Sequence, residues 1–146
     1  MPQQLIADYF ESLPTTKRSD LETLHERILY TFPDRKLWFL DGKNESGKAI
    51  AHPNIGYGFL NLKFASGITR DFYQVGISAN NVGISVSIMG IPDKGYLQRT
   101  YASSIGKARI TGYCIQFKKL EKIHLSVLDL AIQDGFHSSE RPPIKG

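Results

Sequence analysis

The sequence predicts an α+β fold: an antiparallel sheet of about five or six strands, packed on an N-terminal helical hairpin and on C-terminal helices. Three observations predict it. Apolar residues recur at helical spacing at both ends of the chain, they alternate with period two across the middle, and turn residues separate the alternating runs. The 146 residues suit one domain, and 41% hydrophobic with 22% charged residues is a globular balance that argues against disorder, collagen or coiled coil for the whole chain.

Residues 3–13 read as a helix, with Leu5, Ile6, Tyr9, Phe10 and Leu13 on one face and Asp8 and Glu11 opposite. Pro14 stops it, because proline disfavours helical geometry at the residue before it. A second helix begins within 15–19. Ser19-Asp20-Leu21-Glu22 fits a capping box, and Thr15 is the alternative cap one turn earlier. Its apolar face is Leu21, Leu24, His25, Ile28, Leu29 and Phe32, and Pro33 ends it.

The period then changes. Residues 36–40 form a short aromatic strand closed by Asp41-Gly42, 43–48 a polar turn, and 49–51 a resumption of the sheet. Residues 57–64, 69–79 and 82–89 are expected to make a meander, the last two joined at Asn80-Asn81, where Asn tolerates positive φ. Alternation puts Val82, Ile84, Val86 and Ile88 with Tyr73, Val75 and Ile77 on an apolar face under helices. It puts Gln74, Gly76, Ser78, Gly83, Ser85 and Ser87 on a small, polar face. A third helix spans 95–105 with Gly106 as its C-cap, a last strand 113–117, and a final helix 125–134 ended by Gly135. Residues 1–136 are thus one domain, and 137–146 a flexible tail.

Several of these segments are familiar together. Ser12-Leu13-Pro14, Phe32-Pro33-Asp34, Trp38-Phe39-Leu40-Asp41-Gly42-Lys43, Pro53-Asn54-Ile55-Gly56-Tyr57-Gly58, Asp71-Phe72-Tyr73-Gln74, Gly83-Ile84-Ser85-Val86 and Thr111-Gly112-Tyr113-Cys114-Ile115 resemble the YdhG-like family of small bacterial proteins, a domain of unknown function, over residues 3–136. The resemblance implies an antiparallel sheet on helices, and some members carry a frataxin-like iron-chaperone label. Many members have a Tyr-Gly-Met-Pro motif near the place where this chain has Ile55-Gly56-Tyr57-Gly58, a departure from the pattern that the resemblance reads as a sub-branch.

The residues themselves exclude more chemistry than they assign. No apolar run approaches the ~18–20 residues that span a membrane. Met1-Pro2-Gln3-Gln4 lacks the basic and apolar regions of a signal peptide, and the single Cys cannot form an internal disulfide, so a cytoplasmic location is expected. His25, His52, His124 and His137 are far apart in sequence, and His25-Glu26 lacks the second His of a zincin. Gly76-Ile77-Ser78-Ala79-Asn80 misses the nucleophile elbow, which needs a strand-to-helix turn, and Gly47-Lys48-Ala49 lacks the rest of a phosphate loop. His25 and Cys114 read as packing residues.

Asp8 with Glu11, and Glu22 with Glu26, pair carboxylates on one helical face, an open oxygen set suited to labile iron, but a solvated helix face is the stronger reading. No cofactor is expected, iron being the one metal that the resemblance raises. The whole net charge of +4 lies in the second half, where Lys107, Arg109, Lys118, Lys119 and Lys122 face only Glu121. Such a patch serves phosphates or nucleic acid, and here a solvated basic edge outranks a nucleic-acid interface.

The small-residue face supplies the remaining expectation. An aromatic-rimmed hollow above it would be lined by Trp38, Tyr57, Ser78, Ser85, Arg109 and Tyr113, with Arg109 facing a small anionic ligand. The expected function is therefore non-enzymatic binding of a small ligand or iron. The alternative is an enzyme acting on a small anionic substrate at the sheet face. No membrane partner is expected, and a homodimer is left open.

Overall fold

The computed structural model describes residues 2–63 and 66–140. Two helices, α1 (Pro2–Glu11) and α2 (Thr15–Thr31), lead into β1 (Leu37–Leu40) and β2 (Asn54–Tyr57). A hairpin follows, β3 (Leu60–Lys63) and β4 (Thr69–Phe72), then β5 (Val75–Ala79) and β6 (Ile84–Ile88). The chain ends with α3 (Tyr96–Tyr101), β7 (Arg109–Thr111), β8 (Cys114–Phe117), a 3-10 turn (Leu120–Lys122) and α4 (Leu125–Glu140). Six strands make one sheet in the order β1-β2-β5-β6-β8-β7, antiparallel throughout, and β3-β4 form a separate two-stranded ribbon. The α+β class and the helices on one side of the sheet agree with the sequence reading. No helix of the described residues is long and apolar enough to cross a membrane.

The predicted strands 57–64 and 69–79 are each cut in two, and one residue explains both cuts. Gly58 takes φ +87°, a left-handed conformation that turns the chain out of the sheet, and its N–H donates to Lys36 O at 2.7 Å. The chain returns at Gln74, whose N–H donates to Tyr57 O at 2.9 Å. β3 and β4 are therefore an excursion from a closed gate.

The apolar face carries the cross-strand row Phe39, Ile55, Ile77, Val86, Ile115 and Ile110. All four helices dock on this side. Tyr9 of α1 meets the Phe39 ring at 5.6 Å between centroids, and His25 of α2 reaches Tyr57. Gly135 of α4 lies against Ile88 and Val75, and α3 is tied to α4 by Tyr96 and Tyr101, whose hydroxyls both donate to Asp134. Ile84, Val86 and Ile88 are fully buried as the alternation required.

Several expectations are corrected. Val82 is 52% exposed, because it sits in the turn and not in β6. That turn owes nothing to Asn at positive φ: Asn80 Oδ1 accepts the N–H groups of Val82 and Gly83, and no non-glycine residue among those described has positive φ. α2 starts at Thr15 with Pro14 as its uncapped N-cap, so the Ser19 box lies inside the helix. α3 stops at Tyr101, well short of the predicted end. α4 runs through Gly135 to Glu140, so that glycine serves close packing on the sheet rather than termination. Residues 141–146 of the expected tail lie outside the described residues.

The largest correction concerns face. Tyr73 and Gln74 precede β5, and the alternation slips there by one residue. Gln74 turns toward the helices, buried, with Oε1 accepting Phe59 N–H at 3.2 Å and Nε2 donating to Phe136 O at 3.2 Å. Tyr73 takes the opposite face. Its ring lies so close over Gly56 and Gly76 that a Cβ on either would stand 2.5 Å from a ring carbon.

Candidate functional site

The small-residue face is organised in two cross-strand rows. One runs Trp38, Gly56, Gly76, Ser87, Cys114, Thr111; the other runs Ser78, Ser85, Gln116, Arg109. The expected hollow above them is filled. Tyr73 covers Gly56 and Gly76, and Phe72 stacks on Tyr73 at 4.1 Å. Ser78 and Ser85 are both buried; Ser78 Oγ donates to Pro53 O at 2.7 Å, and Ser85 Oγ accepts from Asn80 Nδ2 at 2.5 Å. The small residues admit a tyrosine ring, not a ligand.

The other expected site residues separate accordingly. Trp38 lies on the edge strand, with Nε1 donating to Gly58 O at 2.7 Å and Lys36 Nζ over its ring. Tyr57 is on the wrong face: it is fully buried beneath α2, its hydroxyl 2.6 Å from His25 Nδ1. Tyr113 sits in the β7–β8 turn and donates to Pro92 O at 3.4 Å, at the end of the hairpin remote from Arg109. Of the expected set, the register joins Ser78, Ser85 and Arg109, and Arg109 opens onto a cavity.

That cavity, of about 520 Å³, lies at the open end of the β7–β8 hairpin. Arg109 and Gln116, opposite each other across the strands, form its floor. Its walls come from Gly106, Lys107 and Ala108 before β7, from Lys118, Lys119 and Lys122 after β8, and from Val82 of the β5–β6 turn. Its size falls in the ~300–1,000 Å³ range of small-ligand pockets.

Local backbone chemistry builds it. Gly106 takes φ +99° and pairs with Ile123, and a Cβ there would stand 2.8 Å from Lys122 O. Lys107 N–H donates to Lys122 O at 2.9 Å, and His124 N–H to Ile105 O at 2.8 Å, so the two walls are stapled together. Asp20 of α2 accepts Leu120 N–H at 3.1 Å and anchors the 3-10 turn that carries Lys122.

The electrostatics are one-sided. Lys107, Arg109, Lys118, Lys119 and Lys122 are exposed, none makes a salt bridge among the described residues, and no carboxylate lines the cavity. Glu121 points to the neighbouring groove with Asp20, Thr15, Thr16, Ser19 and Lys119. A second cavity, of about 450 Å³, mixes Asp41 with Lys43, His52 and Arg70 and has no dominant sign.

The sequence had isolated these five cations but assigned them to a solvated edge. The missing signal was β7, three residues long. Residues 107 and 109 lie about as far before the 112–113 turn as 116 and 118 lie after it, so a hairpin there must bring them together.

Burial favours the neutral forms of His25, Tyr57 and Cys114. Burial lowers the His25 pKa, with Glu22 opposing, and raises that of Tyr57. Cys114, beside Ser85, Ser87 and Gln116, has its thiol pushed up by burial, the opposite of nucleophile activation. Among the helical carboxylates, Glu22 pairs with Arg18 and Asp8 accepts from Gln4. No three His, Cys, Asp or Glu side chains converge among the described residues.

No protein-family model matches the chain, no curated protein is significantly similar to it, and no solved structure matches its fold significantly.

Proposed function

We propose that this protein binds a small anionic ligand without transforming it, at the groove between Arg109, Gln116 and the surrounding lysines. One observation carries the reading: Lys107, Arg109, Lys118, Lys119 and Lys122 converge on one cavity with no carboxylate to neutralise them. Clustered like charges destabilise the folded chain by self-repulsion, and a bound anion relieves that repulsion. The groove also has the anatomy of a binding site. It has a rigid floor of paired strands, walls fixed by backbone hydrogen bonds, and a polar amide, Gln116, among the cations.

At low millimolar concentrations, where general salting-out by these anions is small, the protein melts at a higher temperature in sulfate or phosphate than in chloride of equal ionic strength if the groove takes anions, because a ligand of the native state adds RT ln(1 + [L]/Kd) to stability. Arg109→Gln should remove most of that shift. Equal melting in all three salts, or an Arg109→Gln protein that keeps the full shift, overturns the reading.

A further inference from the structure

Resting on the anion-binding reading, we infer that the groove's ligand is a compact group of two or more linked or clustered phosphates. Three features of the lining select it. Lys107, Arg109, Lys118, Lys119 and Lys122 all face the cavity, so a singly charged anion leaves most of them mutually repelling, whereas a polyphosphate pairs with several at once. The cations are mainly lysines. An ammonium is a point charge that donates to oxygens in any direction and suits the crowded oxygens of linked phosphates, and the one planar fork, at Arg109, pairs with a phosphate as well as with a carboxylate.

The third feature is what the walls lack. Apolar lining comes from Val82, Ala108 and Phe117, and Phe117, the one aromatic ring there, is only 2% exposed. A nucleobase has no ring face to stack on, and stacking platforms are how single-stranded nucleic acids are held. The ligand is therefore nearly all charge: an inorganic oligophosphate, or a sugar or cyclitol bearing several phosphates.

Isothermal titration of the full chain at low salt separates this clustered-phosphate class from single phosphates, carboxylates and nucleic acid. The probes are orthophosphate, pyrophosphate, tripolyphosphate, citrate and a short single-stranded oligonucleotide. Affinity should rise by about tenfold or more from orthophosphate to tripolyphosphate as further ion pairs form. Citrate, with a charge close to that of pyrophosphate but carboxylate oxygens, should bind more weakly than pyrophosphate. Lys118→Gln with Lys122→Gln should cancel the gain from orthophosphate to tripolyphosphate with an unchanged circular dichroism spectrum, and Lys48→Gln, outside the groove, should leave it intact. Equal affinity for citrate and pyrophosphate overturns the phosphate class, and equal affinity for orthophosphate and tripolyphosphate overturns the requirement for several phosphates; either leaves the anion site standing. Tighter binding of the oligonucleotide overturns the compact ligand. Binding of none of the probes removes the anion-binding reading itself.

Discussion

His25 and Tyr57 form the one imidazole–phenol pair in the described core, 2.6 Å apart between α2 and β2, with Phe10 edge-on to the imidazole at 5.5 Å. Burial depresses the His25 pKa, and Glu22 on the same helix only partly offsets this. The unfolded chain therefore takes up a proton near the ordinary histidine value of about 6.5 while the native state does not. The pair's contribution is full above that pH and is lost as pH falls through the window below it. Urea midpoints measured between neutral and mildly acidic pH should fall accordingly, and His25→Gln should flatten the slope. Packing makes a second prediction. Gly76→Ala drives a Cβ to 2.5 Å from the Tyr73 ring and should destabilise by about 1–3 kcal/mol. In a Tyr73→Ala background the same change should cost much less, a non-additivity that a double-mutant cycle measures directly. Equal costs in the two backgrounds would show that the glycine is there for some other reason. Sequence alternation found Gly76, Ser78 and Ser85 but not the Tyr73 ring over Gly76. The slip at Gln74 is a local break in pairing, and period-two patterning carries no signal for it.

The helices were legible where apolar spacing is dense and illegible where glycine has two readings. Gly135 looks like a terminator, and in isolation Gly→Ala inside a helix gains up to about 1 kcal/mol. In α4 the added methyl would stand 2.6 Å from Ile88 Cγ2, a branch on a stiff, fully buried strand residue. Overpacking of about 1–3 kcal/mol outweighs the propensity gain, so Gly135→Ala should lower the urea midpoint. Legibility failed differently for the β7–β8 hairpin. A three-residue strand is too short for alternation to register, yet it converts a run of cations into a cavity. The 3-10 turn that supplies Lys122 depends on Asp20, which exerts two effects of opposite sign on an anion in the groove. Its charge repels the anion, while its acceptance of Leu120 N–H holds the wall in place. Asp20→Asn removes the charge and keeps an acceptor, so phosphate affinity should hold or rise. Asp20→Ala removes both, and affinity should fall. Calorimetry on the two variants separates the effects; equal affinities would mean that the anchor does not shape the site.

A single core joins every helix to the six-stranded sheet, from Ile6, Leu21 and Leu24 through Ile55, Ile77, Ile84 and Ile115 to Leu128 and Phe136. Removing volume anywhere in it should destabilise the whole molecule at once: Ile84→Ala, at a fully buried position of β6, should cost about 2–5 kcal/mol. The β3–β4 ribbon stands outside that unit. It pairs with no strand of the main sheet, and the chain that leaves at Gly58 and returns at Gln74 is already closed by the Gln74 N–H to Tyr57 O bond at 2.9 Å. At its base Phe72 stacks on Tyr73. Loop length weighs only logarithmically on stability, so shortening this excursion changes little of the closure entropy. Replacing residues 60–71 with a short Gly/Ser linker, with Phe72 and Tyr73 retained, should therefore leave one cooperative unfolding transition and a smaller loss than Ile84→Ala. The basic groove, at β8 and the far edge strand β7, should keep its phosphate affinity in that variant. A broadened or biphasic melt would show that the ribbon is part of the cooperative unit. A loss of phosphate affinity with the fold intact would place part of the anion site on the ribbon, where Arg70 is the cation to test next.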